Sequence, residues 1–247
     1  MLCPNCGADL GNRQIKFCPY CGKSIPVAAP QPKVDHAEPV SLWEDLQFEK
    51  VVHKSGDSVL YRAMNKQTKG YEMVKVITVP AQREDCEKLL SSGMSADELK
   101  KHFAKIANAR YMRCQRMQSA VNSKNVVKVK DAQIAKKDQL RWEIQIRTES
   151  LTPFRAINFG NEVKVGAIAK LAADLCNAVE ALRAAQVGAD GISLDDIYMD
   201  AQGQYKLGVF ADTQSGAGGQ EYFQAPEVLT NGFVDAKSDV YAIGMIM

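Results

Sequence analysis

Two short segments near the N-terminus repeat one pattern. Cys3-Pro4-Asn5-Cys6-Gly7 and Cys18-Pro19-Tyr20-Cys21-Gly22 each place two thiols two residues apart with a glycine behind them, and eleven residues separate Cys6 from Cys18. Each turn can aim two thiolates at one ion, the glycine permitting the positive φ that so tight a turn needs. Four thiolates, Cys3, Cys6, Cys18 and Cys21, suit tetrahedral Zn²⁺. Four protein ligands leave no open coordination position, so the expected role of the metal is structural. A pair of disulfides or a redox dithiol is the competing reading, and the doubled spacing weighs against it. A second group with chemistry to offer is Asp190, Asp195 and Asp196 in one short stretch. Carboxylates so placed can take a proton or hold a hard cation, but aspartate also favours turns and strand caps with no catalytic part. The third is Lys75, between Val74 and Val76; lysines alternate with valines on many exposed strand faces as well.

The elements that would position these residues follow from periodicity. Residues 1–24 form a Cys/Gly-rich segment, 25–41 include Pro26-Val27-Ala28-Ala29-Pro30-Gln31-Pro32, and a long mixed region covers 42–247. The prolines favour extended backbone, so the middle tract reads as a linker. Strands are expected at Phe48–His53, Ser58–Ala63 and Tyr71–Ile77. Ser95 with Glu98 has the form of a capping box, and the run to about Val121 holds neither proline nor glycine, so a long helix should start there. Strands at Val126–Ala132 and Leu140–Ile146 complete a β-β-β-α-β-β order. A helix over Ala167–Ala185 follows, with Ile168, Leu171, Leu175, Val179 and Leu182 on one face, then a hairpin of Ile197–Met199 and Tyr205–Val209.

Composition narrows the function classes. The chain has 247 residues, 46% of apolar type, which is enough for one large domain and a small module. The net charge of +2 falls in the first 24 residues, where Arg13, Lys16 and Lys23 face Asp9, and the rest balances. Nucleic acid is therefore an unfavoured partner: there is no basic stripe, and the lone Tyr20 offers little for bases to stack on. The first residues lack the regions of a signal peptide and no apolar run is long enough to span a bilayer. Cys86, Cys114 and Cys176 lie scattered through helical patterns, which fits a reducing compartment. Together these features point to a soluble cytoplasmic protein.

Residues 1–24 resemble the short zinc ribbons at the N-termini of many bacterial regulatory proteins. Residues 44–247 resemble the protein-kinase fold, an α+β architecture with a β-rich N-lobe and a helical C-lobe. The motifs that carry the resemblance are, in order, Glu72-Met73-Val74-Lys75, Asn125-Val126-Val127, Tyr205-Lys206-Leu207-Gly208-Val209-Phe210, Tyr222-Phe223-Gln224-Ala225-Pro226-Glu227 and Ser238-Asp239-Val240-Tyr241-Ala242-Ile243-Gly244.

That resemblance implies a set of phosphoryl-transfer parts, most of which are missing. His53, Ser55 and Ser58 fall where glycines should cover the phosphates, leaving only Gly56 nearby. Lys75 holds the strand-lysine position, but Cys114 stands where its helix glutamate belongs, and a neutral thiol cannot form that ion pair. Gly191 falls at the catalytic aspartate and Asp196 at the asparagine; a one-residue slip would instead offer Asp190 as base and Asp195 as metal ligand. Val209-Phe210-Ala211 replaces the Asp-Phe-Gly triplet, and a valine cannot coordinate Mg²⁺. Gly219 replaces the substrate-contacting threonine, and Thr213 and Ser215 are the only hydroxyls of that loop before Tyr222, which speaks against activation by phosphorylation. Ala225-Pro226-Glu227, Asp239 and Gly244 persist, and these support the fold.

Loss of chemistry with retention of scaffold implies a pseudokinase, a non-catalytic regulatory module whose zinc ribbon gives a second contact with a protein partner. Lys75 and Asp196 remain the candidate nucleotide contacts, with ATP and Mg²⁺ disfavoured as working cofactors. The alternative is an atypical serine/threonine protein kinase using Lys75 with Asp190, Asp195 and Asp196. The family's large lobe continues beyond the position of Met247, so an incomplete lobe, with apolar surface around Ile243–Met247, is also expected.

Overall fold

The computed structural model describes residues 40–158, 164–189, 191–210, 223–231 and 234–247. Residues 1–39, and with them the ribbon cysteines Cys3, Cys6, Cys18 and Cys21, lie outside the described residues. The described body is of mixed α+β class, an antiparallel sheet followed by helices.

Five strands, β1 (Leu46–Ser55), β2 (Ser58–Asn65), β3 (Tyr71–Val79), β4 (Val129–Lys136) and β5 (Trp142–Thr148), make one antiparallel sheet in the order β1-β2-β3-β5-β4. Strand β3 is central and covered on both sides, which its alternation explains. Met73, Ile77 and Val79 enter the main core, whereas Val74 and Val76 face a smaller cluster with Trp43, Leu46 and Ala63 on the other side. The chain before β1 makes that second cover. The Gln145 side chain accepts from the Leu42 amide at 2.9 Å and donates to the Val40 carbonyl at 2.8 Å, tying residues 40–42 to the sheet.

Two helices stand between β3 and β4. The short α1 (Arg83–Ser91) was not foreseen in the sequence; none of its residues is buried, so it has no apolar stripe to announce it. The long α2 (Ala96–Ala120) begins where the capping box placed it: Ser95 Oγ accepts from the Glu98 amide, and the Glu98 carboxylate accepts from the Ser95 amide at 2.9 Å. Leu99, Phe103, Ala107, Arg110, Cys114 and Met117 lie along its buried face at spacings of three and four, against the inner side of the sheet.

The remaining elements pack beneath. Strand β6 (Thr152–Pro153), β7 (Ile197–Met199) and β8 (Tyr205–Leu207) form a small antiparallel sheet, with α3 (Val165–Ala184) packed against β8. Leu171, Leu175, Ala178, Val179 and Leu182 of α3 are buried; Ile168, placed on the same stripe from sequence, is only half-buried. Helices α4 (Pro226–Asn231) and α5 (Ala236–Ile246) follow, and Asp239 of α5 pairs with Arg183 of α3 at 2.5 Å. Ile243 is buried, whereas Val240, Met245 and Met247 are exposed, so only part of the apolar surface expected at this end is present. No helix among the described residues is long and apolar enough to cross a membrane.

Candidate functional site

The cleft between the five-stranded sheet and the β7–β8 hairpin gathers Lys75, Asp196, Tyr198 and Phe210. Lys75 lies on the inner face of β3, paired across the sheet with Leu60 on one side and Ile146 on the other. It is 5% exposed, which removes the exposed-strand reading of this lysine. Its Nζ donates to the Tyr198 hydroxyl at 3.3 Å and lies 5.3 Å from the centre of the Phe210 ring. Burial alone would favour loss of the ammonium proton; the Tyr198 hydroxyl and the carboxylates of Asp196 and Asp57 outweigh it, and the lysine pKa lies above its ordinary value. Burial in turn holds the Tyr198 phenol protonated, its pKa raised.

Asp196 is also buried. Its Oδ2 accepts from the Ser193 amide at 3.1 Å and the Ser193 hydroxyl at 2.7 Å, so the carboxylate caps the short 3₁₀ turn Leu194–Asp196 that leads into β7. Desolvation pushes its pKa up, and the charge of Lys75 and the bonds from Ser193 only partly offset this. Asp190 lies outside the described residues.

The side chains around Lys75 meet one another. Leu60, Met73, Val127, Thr148, Leu151, Tyr198 and Phe210 enclose with it a cavity of about 10 Å³. That is room for about one water, against the roughly 300–1,000 Å³ typical of small-ligand pockets. Gly208 permits this closure: a Cβ there would lie 2.7 Å from Phe210 Cε2, 3.0 Å from Val127 Cγ2 and 3.1 Å from Tyr198 Cε2. Val209 and Phe210 are 2% and 1% exposed, so both contribute packing.

Cys114 on α2 is fully buried, and burial drives its thiol up to about 12 despite nearby Arg113 and Lys75. It is a neutral apolar group at physiological pH, not a nucleophile.

The front of the cleft is closed by side chains from the β1–β2 end. Asp195 accepts from the Ser55 hydroxyl at 2.7 Å, from Arg155 Nε at 2.5 Å, and bonds with His53 Nε2 at 3.1 Å. His53 and Ser55 are two of the residues standing where the resemblance expects glycines. Burial opposes ionisation of Asp195, but the bonds from Ser55, Arg155 and His53 and the charge of Arg155 hold its carboxyl below the usual aspartate range.

Sequence reasoning singled out Lys75, Asp195 and Asp196, and the structure brings Lys75 and Asp196 into one electrostatic environment. It missed Tyr198 as the partner of Lys75 and Arg155 as the partner of Asp195. The available signal for Tyr198 was its place in a short strand, where it must face the side opposite to Ile197 and Met199. No protein-family model matches the chain, and no significant match was found among the curated proteins.

Proposed function

We propose that residues 40–247 form a degenerate protein-kinase-like domain that acts without phosphoryl transfer, as a regulatory scaffold presenting its surfaces to a protein partner. The observation that carries this reading is the packing around Lys75. Lys75, the candidate phosphate contact, is enclosed by Tyr198 and Phe210 in a cavity of about 10 Å³, and β1 is bonded to Asp195 across the front. The element order supports the likeness to kinases: three strands, the short α1 and the long α2 that carries Cys114 toward the strand bearing Lys75, two strands, the short β6, a helix and a hairpin. The rival kinase reading uses Lys75 with Asp190, Asp195 and Asp196; Asp190 lies outside the described residues, and the carboxylates of Asp195 and Asp196 are already engaged by protein donors.

Thermal unfolding with and without ATP, each with and without Mg²⁺, tests the reading alongside a radiolabel-transfer assay on the same sample. An ATP-binding protein at a ligand concentration 100 times its Kd would gain about 2.7 kcal/mol of stability. The expected result is no stabilisation and no transfer. Transfer that disappears in Lys75→Ala would overturn it.

The four-thiolate donor set of Cys3, Cys6, Cys18 and Cys21 fits one structural Zn²⁺, and in this reading the ribbon supplies a second contact with the partner. Metal analysis should give one zinc per chain, lost in Cys3→Ser/Cys6→Ser; a metal-free native protein would exclude it.

A further inference from the structure

A second concavity lies away from the cleft, between α1, α2 and the end of β3. It has a volume of about 270 Å³, and Val79, Pro80, Leu89, Phe103 and Ile106 supply its apolar walls. Arg110 lines its inner end, 3% exposed; one guanidinium nitrogen pairs with Asp57 at 2.5 Å, but the buried Nε has no hydrogen-bond partner. A buried donor left unsatisfied costs about 1–3 kcal/mol, and an acceptor brought in from outside would recover it. Past His102 the groove continues into an open hollow of about 560 Å³ edged by Met94, Lys101 and Lys105.

The charges on these walls are unevenly committed. The acids are occupied: Asp57 by Arg110, Asp85 by the Gln82 amide, and Glu98 by the Ser95 cap. Exposed Lys88, Lys101 and Lys105 form no ion pair among the described residues. The surface is thus apolar at its floor, has a buried, unpartnered donor at one end, and is rimmed by uncommitted cations. From Glu98 to Arg110 it runs about 18 Å along the helix, the length of about five or six residues of extended chain.

We propose that this groove docks a short acidic segment of a partner protein, one bulky apolar side chain seated between Leu89, Phe103 and Ile106 and flanking carboxylates over Lys88, Lys101 and Lys105. The occupant is a peptide rather than a small molecule because Lys88 stands on the α1 wall of the pocket while Lys101 and Lys105 lie beyond it along α2, farther apart than one small ligand reaches. The proposal gives the scaffold a class of partner and rests on that reading only for its biological purpose; the groove itself does not depend on the state of the nucleotide cleft.

Selection of a phage-displayed library of random twelve-residue peptides on the full chain tests it. The expected winners combine an aromatic or leucine with two or more acidic residues. A fluorescein-labelled consensus peptide should then bind at least tenfold more weakly to Lys101→Glu/Lys105→Glu, whose changes are on exposed positions, and to Ile106→Asp. Binding should also weaken severalfold on raising the salt concentration. Winners without acidic residues, undiminished binding to the double lysine variant, or no enrichment at all would overturn the proposal. The ATP experiment above is independent, so a failed selection with no ATP binding would leave the scaffold reading standing and require another docking surface.

Discussion

Asp195 shows how a residue that could do chemistry is diverted to holding structure. A carboxylate free to coordinate a cation would keep its lone pairs open, whereas this one receives Ser55, His53 and Arg155. Because its folded-state pKa is depressed, it contributes stability that is present above the ordinary aspartate value of 3.8 and is lost as pH falls through the lower folded value. Urea unfolding between pH 5 and 3 should therefore lose stability less steeply in Asp195→Asn than in the parent, with lower stability for the variant at pH 7. Equal slopes would mean that the three donors do not hold the ionised form. The contacts themselves were not legible in the sequence. His53 and Asp195 are 142 positions apart, and no local pattern reports which loop an exposed polar residue will meet. Lys75 was legible as a strand residue with apolar neighbours, but its burial depends on Tyr198, which the hairpin brings from 123 positions away.

At the scale of elements, the strongest tie between α2 and the β1–β2 turn is the pair Arg110–Asp57, with side-chain exposures of 3% and 6%. Breaking a buried pair from one side leaves an uncompensated charge and costs about 3–5 kcal/mol, while replacing both partners with apolar groups costs far less. Asp57→Ala should thus lower unfolding free energy by about that amount, and Asp57→Ala/Arg110→Met should restore most of it in a double-mutant cycle by denaturant titration. Additive losses would show the two side chains to be energetically independent. Local signals carried the sequence to the helix and to most strands: the Ser95 cap, the alternation in β5 and the turn before β3 are all short-range. They failed at β4, expected over Val126–Ala132 and found over Val129–Lys136. Val126 and Val127 are strand-like residues, but β8 captures them: the Val127 amide donates to the Leu207 carbonyl at 2.9 Å, and Leu207 returns a bond to Asn125 at 2.8 Å. That pairing joins segments 80 positions apart, and β-propensity cannot choose between two such partners.

For the molecule as a whole, the proposed scaffold reading can rest on absent ligands or on absent space. A single absent ligand could be restored by a single substitution if the cleft were otherwise ready. Here one continuous core runs from Leu60 and Ile77 on the sheet through Val127, Tyr198, Leu207 and Phe210 to Leu175 and Leu182 of α3, and the side chains enclosing Lys75 are part of it. Making room would require Phe210 to leave a site where it is 1% exposed, a rearrangement comparable to the about 3–5 kcal/mol cost of deleting a buried phenylalanine ring. Val209→Asp, which puts a carboxylate where the kinase resemblance expects one, is therefore expected to give no rise in melting temperature with ATP and Mg²⁺ and no phosphoryl transfer. It should instead lower stability by about 1–3 kcal/mol, because a polar group enters a position that is 2% exposed. ATP- and Mg²⁺-dependent stabilisation of that variant would show that the packing around Lys75 yields readily to ligand, and would move the proposed lack of phosphoryl transfer from the closed core to the absent aspartate.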